Sequence, residues 1–136
     1  MYTKLVKQAI EARNGAYAPY SGFRVGAALL ASDGTVYTGC NIENASYGAT
    51  VCAERVAYFK AVSDGKRSFA GLAIAGGKDV VSATPPCGIC RQTLSELCGE
   101  DMPVLLADSE AGAYTHTTLG ALLPFAFGTK NLKEKE

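Results

Sequence analysis

The chain lacks an excess of charge of either sign. Lysine plus arginine number 13, aspartate plus glutamate also number 13, and the formal net charge over 136 residues is +0. Binding to duplex nucleic acid draws on many uncompensated cations. The overall balance therefore does not favour a polynucleotide partner, and no stretch resembles the basic, aromatic-rich channel that grips a single strand. A neutral surface does promote self-association. Long apolar runs are also missing, and crossing a bilayer takes about 20 such residues. The first eight residues, Met1 to Gln8, lack the basic-then-apolar order of a secretory leader. A cytoplasmic protein without membrane contact is expected. Histidine is nearly absent: His116 is the only one. It reads as a strand-end surface residue, so any proton transfer falls to another group.

What is present suits a single compact domain over residues 1–136, with a polar tail over about 130–136. Hydrophobic residues make up 48% of the chain, enough for a substantial core. Leu5, Val6, Ala9, Ile10 and Ala12 are spaced for one face of a helix over 3–16. Tyr17 to Gly22 breaks it. Phe23 to Ala31 and Val36 to Ile42 read as strands joined by the turn Ser32-Asp33-Gly34-Thr35. A helix is expected over 51–63, with Val56, Phe59 and Val62 on one side and Gly65 just past its end. A buried strand over 72–75 follows, then a helix over about 87–97 stopped by Gly99. Strands at 104–107 and 114–117 and a short helix at 118–123 complete the order α-β-β-α-β-α-β-β-α. This predicts an α/β fold: a three-layer α/β/α sandwich around a mixed five-stranded sheet.

Five cysteines is an odd count. In a reducing compartment thiols persist, so the pattern favours metal binding over disulfides. Cys87 and Cys90 are three apart in Pro86-Cys87-Gly88-Ile89-Cys90, so one turn of helix presents both sulfurs. Cys52 comes from another helix start, in Cys52-Ala53-Glu54. Helix starts carry unpaired N–H groups and the positive end of the dipole, which favour thiolate. Three thiolates hold zinc and leave its fourth position open, the mark of a catalytic site rather than a structural one. Glu54 is then placed to move protons, as the non-ligand glutamate does in zinc deaminases. Three thiolates around Zn²⁺ leave a net negative charge. Arg55 is expected to offset it by bonding to ligand sulfurs. Cys40 and Cys98 have no partner at ligand spacing and read as ordinary buried thiols. Asn41 and Glu43 share one face of a strand end, where an amide and a carboxylate could pair with two hydroxyls, or simply meet solvent. Phe23 could be a core residue or a contact.

These motifs resemble, over nearly the whole length, the family of small homotetrameric cytidine deaminases. The likeness runs from Tyr17-Ala18-Pro19-Tyr20-Ser21-Gly22-Phe23 through Gly39-Cys40-Asn41-Ile42-Glu43-Asn44-Ala45-Ser46-Tyr47 and Cys52-Ala53-Glu54-Arg55. It continues in Pro86-Cys87-Gly88-Ile89-Cys90-Arg91-Gln92 and ends near Leu122-Leu123-Pro124. The resemblance implies Cys52, Cys87 and Cys90 as ligands of one Zn²⁺ per chain and Glu54 as proton shuttle. It implies Asn41 and Glu43 at the ribose hydroxyls, Phe23 against the pyrimidine, and the backbone around Ala53 on the base. It also implies a homotetramer with shared active sites, to which Tyr47 and Phe127 of a neighbouring subunit contribute. Phe125 stands where family members carry a small residue, and it competes with Phe127 for that role. The expected reaction is hydrolytic deamination of cytidine and 2′-deoxycytidine in pyrimidine salvage. Alternatives are a related deaminase of another aminopyrimidine nucleoside such as blasticidin S, a non-catalytic zinc-binding fold, and a thiol redox protein.

Overall fold

The computed structural model describes residues 2–133. Its elements are α1 (Thr3–Ala12), β1 (Arg24–Ala31), β2 (Val36–Cys40), α2 (Ala53–Ser63), β3 (Phe69–Gly77), α3 (Gly88–Ser95), β4 (Pro103–Ala107), β5 (Tyr114–Thr118), α4 (Leu119–Leu122) and α5 (Thr129–Leu132). The five strands form one sheet in the order β2-β1-β3-β4-β5. β1 pairs antiparallel with both β2 and β3, and β4 with β5. Only β3 and β4 run parallel, and α3 lies in the crossover between them. The mixed sheet expected from the element order is present.

Strand periodicity separates two apolar faces. Ala27, Leu29, Leu72, Ile74, Val104 and Leu106 pack with Ala53, Ala57 and Ala61 of α2 and Leu94 of α3. Ala28, Ala73, Ala75, Leu105 and Ala107 pack with Leu5, Val6 and Ala9 of α1. The sheet is thus the middle of three layers.

Two glycines set how closely the helices sit. A Cβ on Gly26 would collide with the α1 end at Ala9 O and Arg13 N. A Cβ on Gly39 would lie 2.5 Å from Ala53 O and 2.6 Å from Ala57 N, inside van der Waals contact. The first turn of α2, which carries Cys52-Ala53-Glu54, therefore rests directly on β2.

This close seat changes the expected face of α2. The buried residues are Ala53, Glu54, Ala57, Tyr58 and Ala61, whereas Phe59 is half exposed. A helix against backbone needs small residues underneath, so the alanines go in and Phe59 stays outside. The helix ends as Gly65 predicts. Gly65 has φ +94, Lys66 N–H donates to Ala61 O at 3.0 Å, and Gly65 N–H to Val62 O at 3.0 Å. That pair of bonds is a Schellman motif.

Other boundaries shift as well. α1 stops at Ala12 and tightens into a 3₁₀ turn, Arg13–Gly15, because Asn14 and Gly15 are weak helix formers. Phe23 precedes β1, and β2 ends at Cys40. Ile42 is extended but pairs outside the sheet, with Tyr17 and Val51. β3 is longer than the core run 72–75. Within the expected polar tail, Lys130 to Leu132 belong to α5, whose Asn131 side chain accepts from Gly128 N–H at 2.9 Å. Residues 134–136 lie outside the described residues.

Candidate active site

Two helix starts converge. Cys52 is the residue before α2 and Cys87 the residue before α3, both with extended backbone. Cys90 N–H donates to Cys87 Sγ at 3.5 Å, so the first turn of α3 is capped by a sulfur. The Sγ atoms of Cys52 and Cys87 are 3.7 Å apart, and those of Cys87 and Cys90 are 3.4 Å apart. All three lie within 4.8 Å of one another. A disulfide needs about 2.0 Å. The edge of a tetrahedron with zinc–sulfur bonds of about 2.3 Å is about 3.8 Å. The sulfur triangle therefore fits three corners of a zinc site. It is graded in exposure: Cys90 is buried, Cys52 half-buried and Cys87 exposed. An entering molecule would reach it from the Cys87 side.

The electrostatics also call for a cation. Cys52 is held down to about 5, chiefly by the Cys90 thiol and then by Arg55. The same contact pushes Cys90 up strongly, and burial adds to it. Neighbouring sulfurs cannot all ionise together without a positive charge among them. Arg55 supplies part of it: Nη2 lies 3.7 Å from Cys52 Sγ. Its Nε is buried with no partner among the described residues. Arg91 does not share this task. Its Nε donates to Pro86 O at 2.8 Å and its Nη1 to Leu122 O at 2.7 Å.

Glu54 sits in the first turn of α2 with 4% of its surface exposed. Burial, then the neighbouring Cys52, pushes its carboxyl up to about 7, against lowering by its own backbone N–H and by Cys90. A group poised there takes and gives protons near neutrality. Ala53 is fully buried beneath it.

A second cluster borders this one through the Ile42–Val51 bridge, which brings residues 41–43 alongside the strand leading to Cys52. Asn41 is 9% exposed. Its Oδ1 accepts from Val25 N–H at 2.8 Å and its Nδ2 donates to Phe23 O at 2.8 Å, which fixes the orientation of the amide. One N–H and one lone pair remain to it. Asn41 is thus first a bracket around Phe23–Val25, which differs from a solvated strand end. Glu43 accepts from Tyr20 N–H at 2.9 Å, from Ser21 N–H at 3.1 Å and from the Ser21 hydroxyl. These contacts hold its carboxyl below the usual carboxylate range, the Ser21 hydroxyl most of all. Tyr20, Ser21, Glu43, Tyr47 and Thr50 line a cleft of about 330 Å³. Phe23 is 37% exposed.

Phe127 does not reach this cleft within one chain. It is 58% exposed and lines a separate hollow of about 190 Å³ beside Cys98, Leu123 and Lys130. Its carbonyl accepts from Gln92 Nε2 at 2.9 Å. Phe125 is fully exposed, with φ +53, the left-handed region that suits the small residue expected there. Tyr47 is 75% exposed, with its ring edge-on to Tyr20 at 6.0 Å. His116 is an exposed residue of β5, Cys98 is buried, and Cys40 is half-buried. Sequence reasoning missed Ser21 and Tyr20 as partners of Glu43. The only signal was a serine two before Phe23, the spacing of a side-chain turn.

A family model described as the cytidine and deoxycytidylate deaminase zinc-binding region matches residues 1–106. A cytidine deaminase of Sporosarcina psychrophila is 53% identical over 129 residues, covering 95% of this chain and 93% of the relative. One from Halalkalibacterium halodurans is 50% identical over 130 residues, covering 96% of each. The crystal structure of cytidine deaminase from Burkholderia pseudomallei superposes with a TM-score of 0.85 at 46% identity, covering 93% of this chain and 99% of that one. With its sulfur triangle, buried glutamate and five-stranded sheet, the chain belongs to the cytidine and deoxycytidylate deaminase zinc-binding family.

Proposed function

We propose that the chain hydrolyses cytidine and 2′-deoxycytidine to uridine and 2′-deoxyuridine with release of ammonia, using one zinc ion held by Cys52, Cys87 and Cys90. The observation that carries this is three sulfurs within 4.8 Å of one another at the helix start that buries Glu54. Bound zinc supplies Lewis acidity and an acidified water as nucleophile at C4. Glu54 takes a proton from the attacking water and delivers it to ring N3, which makes C4 more electrophilic. It then takes the proton of the new C4 hydroxyl and passes it to the amino group, which leaves as ammonia while the C4 carbonyl forms. Arg55 holds the Cys52 sulfur and offsets the negative charge of the ligand set. Phe23 packs against the pyrimidine, backbone near Ala53 bonds the base, and Asn41 and Glu43 take the sugar hydroxyls.

The cleft favours a nucleoside over a nucleotide. Among the described residues of one chain, its only charged lining residue is the Glu43 carboxylate, which repels a phosphate placed beside it. Tyr47 and Phe127 complete the site of a neighbouring copy in a homotetramer. Their exposure, and the separation of Phe127 from the cleft of its own chain, support this. The whole chain acts as one domain in the cytoplasm, in pyrimidine salvage. No helix of the described residues is long and apolar enough to cross a membrane.

The test is zinc per chain and ultraviolet loss of cytidine on one preparation, with cytosine and blasticidin S as competing substrates. Glu54→Gln should keep zinc and lose more than the ~10²–10⁴-fold typical of a single acid–base group, because it serves several steps. Turnover near that of the parent would refute the assignment. A chain that binds zinc without acting on any of the three compounds would be a non-catalytic fold.

A further inference from the structure

The Ser21 hydroxyl has only one way to orient. A hydroxyl carries one proton and two lone pairs. Phe23 N–H donates to Ser21 Oγ at 2.9 Å, and a backbone N–H can only donate. The Glu43 carboxylate can only accept, so the Ser21 proton must point at Glu43 Oε2. An ionised carboxylate offers about four acceptor positions. Tyr20 N–H and Ser21 N–H occupy both on Oε1, and the Ser21 hydroxyl occupies one on Oε2. One lone pair remains, on Oε2, and Glu43 lines the cleft. Gly22, with φ +70 and its N–H on Ala18 O at 3.0 Å, closes the turn that holds Tyr20 and Ser21 in place.

We propose that Ser21 is a positioning residue for sugar recognition: it locks Glu43 so that one defined acceptor faces the cleft, reserved for a sugar hydroxyl. This rests on the assignment of Glu43 to the sugar made above. Ser21 also lines the cleft, but its one proton is committed to Glu43 and one lone pair to Phe23 N–H. Its effect passes through Glu43 and therefore depends on the sugar having a hydroxyl to donate. The reserved acceptor is for a hydroxyl of the ring's 2′–3′ edge, so 2′,3′-dideoxycytidine, which keeps only its 5′-hydroxyl, loses that bond whatever the state of Ser21.

The experiment compares cytidine with 2′,3′-dideoxycytidine as substrates of the zinc-loaded enzyme, in the parent, Ser21→Ala, Ser21→Thr and Glu43→Gln. Ser21→Ala should raise KM for cytidine roughly tenfold, the size carried by a hydrogen bond to a charged group. It should leave kcat within about twofold and barely change KM for the dideoxy substrate. Ser21→Thr keeps the hydroxyl and should restore the parent KM. Equal losses on both substrates would make Ser21 a merely structural residue and overturn the proposal. So would a raised KM in Glu43→Gln with none in Ser21→Ala, and there the assignment of Glu43 would survive. An unchanged cytidine KM in Glu43→Gln would remove that assignment and the proposal with it.

Discussion

Arg55 shows how much of a site a single side chain can hold. Its guanidinium lies 3.7 Å from Cys52 Sγ, reaches back towards Thr50 O at 3.5 Å, and keeps a buried Nε with no partner among the described residues. Residues that bond to metal ligands commonly carry 10–100-fold in affinity. Arg55→Ala should therefore lose zinc to a chelator roughly tenfold faster or more, read by a chromogenic chelator. Unchanged release and an unchanged pH–rate profile would deny it this role. The aromatics near the C-terminus can be separated in the same way. A non-glycine residue in the left-handed region costs about 1–2 kcal/mol. Phe125→Gly relieves that strain, so its melting temperature should stay within a few degrees of the parent and its KM should hold. Phe127→Ala should raise KM for cytidine several-fold. The reverse pattern would give the substrate contact to Phe125. The convergence of Cys52, Cys87 and Cys90 was legible in the sequence because metal chemistry restricts residue type and spacing. Ser21 was not, because its role depends on a turn that brings residues 20–21 to residue 43.

At the scale of elements, two helix starts do most of the positioning, and both fell within two residues of their expected places, at Ala53 and Gly88. The face of α2 was not readable. Apolar spacing pointed to Val56, Phe59 and Val62, yet contact with bare backbone at Gly39 selects alanines instead. Gly39→Ala should therefore lift the first turn of α2. Overpacking of this kind typically costs about 1–3 kcal/mol, and here zinc retention should fall along with stability. Helix α3 has a second task. Its first turn carries Cys87 and Cys90, and the next two residues, Arg91 and Gln92, hold Leu122 O and Phe127 O. The segment from Leu122 to Phe127 contains the exposed Phe125 and Phe127. Gln92→Ala should speed amide exchange across residues 122–128 and leave zinc content at one per chain. Unaltered exchange there would show that the segment is held by other contacts.

For the molecule as a whole, the layer order followed from strand and helix alternation, because each apolar face needed a cover. The assembly is a different matter. Zero net charge and exposed Tyr47, Phe125 and Phe127 suit a surface that meets another copy. If sites are shared, specific activity should fall on dilution and thermal stability should rise with protein concentration, because association shifts folding by mass action. Concentration-independent activity down to the monomer, checked by sedimentation, would argue for sites complete in one chain.

Arg13 has a consequence for how the protein meets acid. This guanidinium is buried, and it is bound by the carbonyls of Arg24, Gly77 and Lys78 with no carboxylate in the set. The acceptors are all backbone carbonyls, so the knot at the start of β1 holds no carboxylate for acid to neutralise. The far end of the same hairpin holds one. Asp33, 2.8 Å from Lys66 Nζ, is lowered to about 2, chiefly by that lysine. A depressed carboxyl stabilises above its unfolded value near 3.9, and its contribution drains away as the pH falls through about 2. Souring the solvent should thus fray the hairpin from its turn inward, with the Arg13 end the last to let go.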